Sequence, residues 1–192
     1  MKRRNFLTST SAAILTAGVL SQTSVRRAFA QGQTPQRRLV MPPLLDTRAT
    51  GRLALAATPG STAFNGGANT ATVGYNQPYL GPTVVMQNGD LAAEVRNNLD
   101  EAITTHWHGL LVPGEHDGGP QQAIEPGATW SPKMAIAQDP ATIWYHSHMH
   151  GRIPQQVYFG LAGAIHLTDG QDDARGLPST YGLDDLTLVL QD

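Results

Sequence analysis

Thr142-Ile143-Trp144-Tyr145-His146-Ser147-His148 is a run of β-branched and aromatic residues interleaved with polar ones, followed by Met149-His150-Gly151. A run of this length and make-up reads as a short β-strand. Further runs of the same kind lie on either side of it. Arg52–Thr58 is closed by Pro59-Gly60, Thr70–Tyr75 is ended by Asn76, and Pro82–Gln87 meets the turn Asn88-Gly89-Asp90. Leu91–Asn97, Ile103–His108 (closing at Gly109), Thr129–Ala135, Gly163–Thr168 and Leu186–Leu190 complete the set. A long loop, Val112–Gly127, is crowded with Gly, Pro and acids, and Gly151–Gly160 has room for one helical turn. Nine short strands without a helical period predict an all-β domain, an antiparallel sandwich or barrel. The last run is strand-like, yet only two residues follow it, so the chain is expected to be a piece of a longer protein.

Composition narrows the chemistry. Of 192 residues 40% are apolar and 15% charged, with 20 Gly and 13 Pro, which is too apolar for disorder and too turn-rich for a helical bundle. There is no Cys, so disulfides, thiolate zinc sites, iron–sulfur clusters, cysteine nucleophiles and a cysteine-ligated blue copper are all excluded from this chain. The first 30 residues carry Lys2, Arg3, Arg4, Arg26 and Arg27 and no acid; beyond them 8 Lys+Arg face 15 Asp+Glu. That acidic remainder shows no basic stripe for nucleic acid. No apolar run reaches the roughly 18 residues of a membrane span.

The leader has its own grammar. A charged start (MKRRNFL), a mildly apolar stretch from Ser11 to Leu20 and the small-residue site Ala28-Phe29-Ala30 follow in the order of a signal peptide. Arg3-Arg4 with Phe6-Leu7 resembles the twin-arginine signal, which exports folded proteins in bacteria. An ordinary secretory signal is the simpler alternative. Both imply a bacterial protein that is periplasmic or secreted, with residues 1–30 as signal peptide and residues 31–48 as a poorly ordered N-terminal arm.

Five of the seven histidines fall in two clusters, Thr105-His106-Trp107-His108-Gly109 and Tyr145-His146-Ser147-His148-Met149-His150-Gly151. On a strand, residues i and i+2 share one face about 6–7 Å apart, so each His-x-His presents two imidazoles in one direction. Neighbouring strands would bring four together. A lone His is usually a packed or surface residue; two pairs, each running into a Gly that lets the backbone turn away, argue for a metal site. The expected ligands are His106, His108, His146 and His148, for copper, zinc, iron or nickel.

Two segments, THWHGLLVPGEHDGGPQ (Thr105–Gln121) and IWYHSHMHGRIPQQVYFGLAGAI (Ile143–Ile165), resemble the first two copper motifs of the multicopper oxidases. Tyr75–Thr83 and Asn88-Gly89-Asp90 resemble that family's first domain as well, so the likeness runs from about Arg48 to Asp192. The GEHDGGPQ loop and the GLAG strand are closer to the bacterial cuprous-oxidase and bilirubin-oxidase-like branches than to fungal laccases. The resemblance implies a cupredoxin-like Greek-key β-sandwich over residues 49–192, the N-terminal domain of a larger enzyme. It further implies a three-copper, oxygen-reducing centre shared with a C-terminal cupredoxin domain. On that resemblance His106 binds the type 2 copper, His108 a type 3 copper, and His146 and His148 one type 3 copper each. The remaining ligands and the cysteine-ligated type 1 copper belong to the family's last domain, so this chain alone is expected to be inactive. The implied partners are O2, a reducing substrate (phenol, pigment or metal ion) and the absent C-terminal cupredoxin domains.

Asp117 lies in the loop between the two ligand strands. Reducing oxygen to water consumes four protons, and a carboxylate here suits a proton relay; cuprous-oxidase-like members have an acid in this place. A turn-forming Asp before Gly118 and Gly119 is the plainer explanation. Glu115 reads as a solvated loop acid, His116 as a loop residue and His166 as a strand residue, while Trp107 and Trp144 read as packing groups. His150 would be a third ligand only in a zinc site. A zinc hydrolase built on His146, His148 and His150 is one alternative, although the helices and motif Asp of such enzymes are missing. A non-catalytic, copper-binding or structural cupredoxin is the other.

Overall fold

The fold rests on two sheets packed face to face, as described by a computed structural model covering residues 39–191. The proposed leader and residues 31–38 of the arm lie outside the described residues. In chain order the strands are β1 (Leu44–Asp46), β2 (Arg52–Ala63), β3 (Asn69–Tyr75), β4 (Thr83–Met86), β5 (Gly89–Asn97) and β6 (His106–His108). They continue with β7 (Thr129–Trp130), β8 (Lys133–Ile136), β9 (Ala141–His146), the helix α1 (Ile153–Phe159) and β10 (Ala162–Leu167). One sheet has the order β1-β4-β10-β9-β6; the other has β3-β2-β5-β7, with β8 also pairing with β5.

Alternation explains the packing. Leu53, Leu55 and Ala57 of β2 and Leu91, Ala93 and Val95 of β5 are buried, while Arg52, Ala54, Glu94 and Arg96 between them are exposed. Val84, Met86, Tyr145, Ile165 and Leu167 bring the facing sheet to the same core. The β-sandwich expectation therefore holds.

Several expectations need correction. The sheets are mixed rather than antiparallel: β4 runs parallel to both β1 and β10, and β2 runs parallel to β5. These partners are not consecutive in the chain, so no hairpin turn dictates their direction. Leu44–Asp46, expected within the unstructured arm, is the edge strand β1, because β4 offers it a free ladder; Thr83 N–H bonds the Pro43 carbonyl at 2.9 Å. Strand β2 does not stop at Pro59-Gly60. Its pairing with β5 ends at Ala57, so Pro59 falls where only β3 adjoins the strand and a missing N–H is tolerated. The Thr129–Ala135 run splits around Pro132 into β7 and β8. Leu186–Leu190 is not a strand. This segment lies along the outer face of β9 and β10, with Thr187 Oγ1 3.0 Å from His166 Nε2, and leaves Leu186, Leu188, Val189 and Leu190 exposed.

Candidate metal centre

Strands β6 and β9 are antiparallel neighbours, with His106 opposite His146 and His108 opposite Trp144. This register brings ligand nitrogens of His106, His108 and His146 within 4.8 Å of one another. His148 lies beyond the end of β9. Its ring centroid is 5.3 Å from that of His106 and 5.9 Å from that of His146. The four imidazoles anticipated from the sequence thus come together at one end of the first sheet, three as a tight group and the fourth beside them.

Hydrogen bonds decide which ring nitrogens keep a lone pair. His106 Nδ1–H donates to the Asp117 carbonyl at 2.9 Å, and His146 Nδ1–H donates to the Ser147 carbonyl at 2.8 Å. Each bond fixes the tautomer with the proton on Nδ1, so Nε2 keeps its lone pair, the arrangement that supports a metal-bound imidazole. His108 Nδ1 approaches His146 Nε2 to 3.2 Å. His148 Nδ1 is buried without a hydrogen-bond partner, while its backbone N–H donates to Thr104 Oγ1 at 2.7 Å. Burial pushes the His146 imidazole down to about 4, the neighbouring His rings push the same way, and the Ser147 carbonyl opposes them. His146 is therefore neutral at pH 7, as a ligand must be. An orphaned buried ring nitrogen, two facing ring nitrogens and an all-imidazole donor set fit a transition metal such as copper or zinc.

The Val112–Gly127 loop buttresses the first pair. The Asp117 carbonyl also accepts the Trp107 N–H at 3.2 Å, and its carboxylate Oδ1 lies 3.3 Å from His106 Nδ1. Gly118 has φ +73°, and a Cβ there would lie 1.8 Å from the Thr105 carbonyl oxygen, so only glycine lets the loop press this close to β6. Trp107 is wholly buried in the core, whereas Trp144, 39% exposed, stacks on His146 with centroids 4.0 Å apart.

The remaining candidates do not join the converging nitrogens. His116 ends a short 3-10 turn, His150 is exposed in the turn before α1, and Glu115 is exposed in the loop. His166 is on β10, bonded to Thr187, with Nδ1 3.6 Å from Asp185 Oδ2. Thr104 and the Ser147 carbonyl were missed as supports. Their sequence signal is faint: a threonine two residues before the first pair serves the second, and a backbone carbonyl carries no signature of its own.

A two-sheet sandwich with one His-x-His motif on β6 and another running off the end of the neighbouring β9 is a cupredoxin-like domain. Residues 56–172 match the family model described as multicopper oxidase, and the chain belongs to that family. It is 41% identical over 154 residues to the multicopper oxidase mco of Staphylococcus aureus, covering 80% of this chain and 34% of that protein. It is 38% identical over 193 residues to the cell division protein FtsP of Edwardsiella tarda, covering 100% of this chain and 39% of that one. Among solved structures, a laccase-like multicopper oxidase CueO from Ochrobactrum sp., described as having oxidase activity towards lignin model compounds and lignosulfonate, aligns with TM-score 0.74. The identity is 42%, with 77% of this chain and 34% of that one covered. The McoA multicopper oxidase of Aquifex aeolicus aligns with TM-score 0.69 at 31% identity, covering 78% of this chain and 34% of that one. The chain thus spans between 34% and 39% of the length of these relatives.

Proposed function

We propose that this chain is the first cupredoxin domain of an exported bacterial copper oxidase. It contributes His106, His108, His146 and His148 to a three-copper centre completed by another domain. The observation that carries the reading is the convergence of His106, His108 and His146 nitrogens, with the partnerless His148 Nδ1 beside them. By family resemblance His106 is the type 2 ligand and the other three serve the type 3 pair. Bound copper supplies the one-electron redox chemistry that couples oxidation of a substrate to reduction of O2. The protein's part is to hold neutral imidazoles in place, through the Asp117 and Ser147 carbonyls, and to deliver protons. Asp117 suits the second task because its carboxylate lies beside His106 Nδ1 while its carbonyl holds the ring. Candidate reductants are phenols, pigments and metal ions. Likeness to the Ochrobactrum oxidase, described as acting on lignin model compounds, favours aromatic ones. The twin-arginine-like leader supports a periplasmic or secreted location.

Relatives named cell division protein match the chain over its full length and favour a second reading, a cupredoxin with a structural role. Copper titration of the chain, with single His→Ala changes, separates the two. Under the oxidase reading His106→Ala, His108→Ala, His146→Ala and His148→Ala each weaken binding at least about tenfold. His116→Ala, His150→Ala and His166→Ala leave it unchanged. A His150→Ala effect equal to that of His148→Ala would overturn the ligand assignment, and absence of copper binding by the unaltered chain would favour the structural role.

A further inference from the structure

Helix α1 has a single buried side chain, and it is polar: Gln156, 2% exposed. Both ends of its amide are used. Oε1 accepts a hydrogen bond from Ser147 Oγ, and Nε2 donates to the Ala102 carbonyl at 2.9 Å. Ser147 is wholly buried and lies between His146 and His148. Its carbonyl accepts the His146 Nδ1–H at 2.8 Å, and its own N–H donates to the Leu161 carbonyl at 3.0 Å. Ala102 begins the stretch that leads through Thr104 into His106, and Thr104 Oγ1 accepts the His148 N–H. One side chain therefore ties the approach to the first histidine pair to the residue inside the second.

We infer that Gln156 is a positioning residue for the metal centre, fixing through Ser147 the aim of His146 and through Ala102 the spacing between the two pairs. The inference rests on the copper reading given above. The amide has a specific reason. A carbonyl needs a donor and a hydroxyl needs an acceptor, and glutamine presents both on one planar group. A carboxylate would face the Ala102 carbonyl without a hydrogen between them. An apolar side chain would leave Ser147 Oγ short of its acceptor and the Ala102 carbonyl without this donor inside the protein. If Gln156 merely filled space, a methionine of similar length would replace it at little cost.

The test uses the 192-residue chain with Gln156→Met, Ser147→Ala, the pair combined, and Gln155→Met at the exposed neighbour as control. Two readouts are taken. Nitrogen NMR of the metal-free chain reports the His146 ring tautomer; Cu2+ titration with electron paramagnetic resonance reports affinity and coordination. Gln156→Met is expected to keep the fold by circular dichroism, turn the fixed His146 tautomer into a mixture, weaken Cu2+ binding about tenfold or more and alter the copper hyperfine pattern. Ser147→Ala is expected to do the same, with the combined variant no worse than either and Gln155→Met unchanged. A Gln156→Met chain with the original tautomer, affinity and spectrum would overturn the inference while leaving the copper reading intact. If the unaltered chain takes up no Cu2+, the copper reading fails on its own, and the tautomer comparison still decides whether Gln156 positions His146. Should Gln156→Met not fold, Ser147→Ala carries the decision, and an unchanged tautomer there overturns the inference.

Discussion

His106 and His108 both lie on β6, two positions apart on one face, whereas His146 closes β9 and His148 lies beyond its end. The two pairs share a spacing but not a means of support. The first is placed by the ladder with β9, by Trp107, anchored in the core between the two histidines, and for His106 by the Asp117 carbonyl. The second leaves the ladder halfway and is placed by polar contacts, the Ser147 carbonyl for His146 and Thr104 Oγ1 for the backbone of His148. Strand alternation puts both members of a pair on one face only while the strand continues. Past its end, each ligand needs a partner of its own.

The contrast can be broken most severely at the first pair. Trp107→Ala should lower unfolding stability by about 3–5 kcal/mol, read from urea or guanidinium midpoints, because the whole buried indole is lost. A loss below about 1 kcal/mol would show that the core does not anchor β6. The next effect belongs to the second pair. His146 titrates at about 4 in the fold against 6.5 ordinarily, so the metal-free chain should hold its stability above pH 6.5 and lose it as pH falls towards 4. The unfolded chain takes up the proton first, and the folded state resists it at a cost on the order of 2 kcal/mol. His146→Ala should flatten this stretch of the stability–pH curve; an unchanged curve would place the acid sensitivity elsewhere. The smallest structural effect is expected for Asp117→Asn. It keeps the carbonyl that holds His106, so copper content should be unaltered. If the proposed oxidase reading and the Asp117 relay role are right, oxygen consumption by the full-length protein should still slow about a hundredfold or more. Full activity in that variant would reduce Asp117 to a loop residue.

Much of this architecture was legible beforehand, for physical reasons. The alternation in β2 and β5 is a local signal of a half-buried sheet, and the sandwich followed from it. The histidine pairs were legible because a two-residue period is itself the geometry of a strand. What could not be read is what depends on partners distant in the chain. β1 is three residues long and exists only because β4 offers an edge. Leu186–Leu190 has a strand's composition and finds a sheet face instead of an edge. The buried amide of Gln156 has no periodic signature, since next to Gln155 nothing local says which of the two points inward.

The parallel pairing around β4 has a consequence for how the site comes into being. Val84 is matched with Leu45 on one side and with Ile165 on the other, so its strand joins segments from near both ends of the described chain. Contacts this non-local form slowly, because the chain closes large loops before any contact offsets their entropy. The histidine strands depend on that closure, since β9 joins the sheet through β10 and β6 joins through β9. An unfolded chain meets metal with its two His-x-His pairs apart, and only the finished sandwich offers all four imidazoles as a set. On the copper reading proposed above, the folded state, with all four imidazoles together, holds the metal more tightly than the unfolded chain does, and that difference deepens its stability by mass action. The topology therefore ties the full four-histidine set to the finished sandwich: complete coordination waits for the shape.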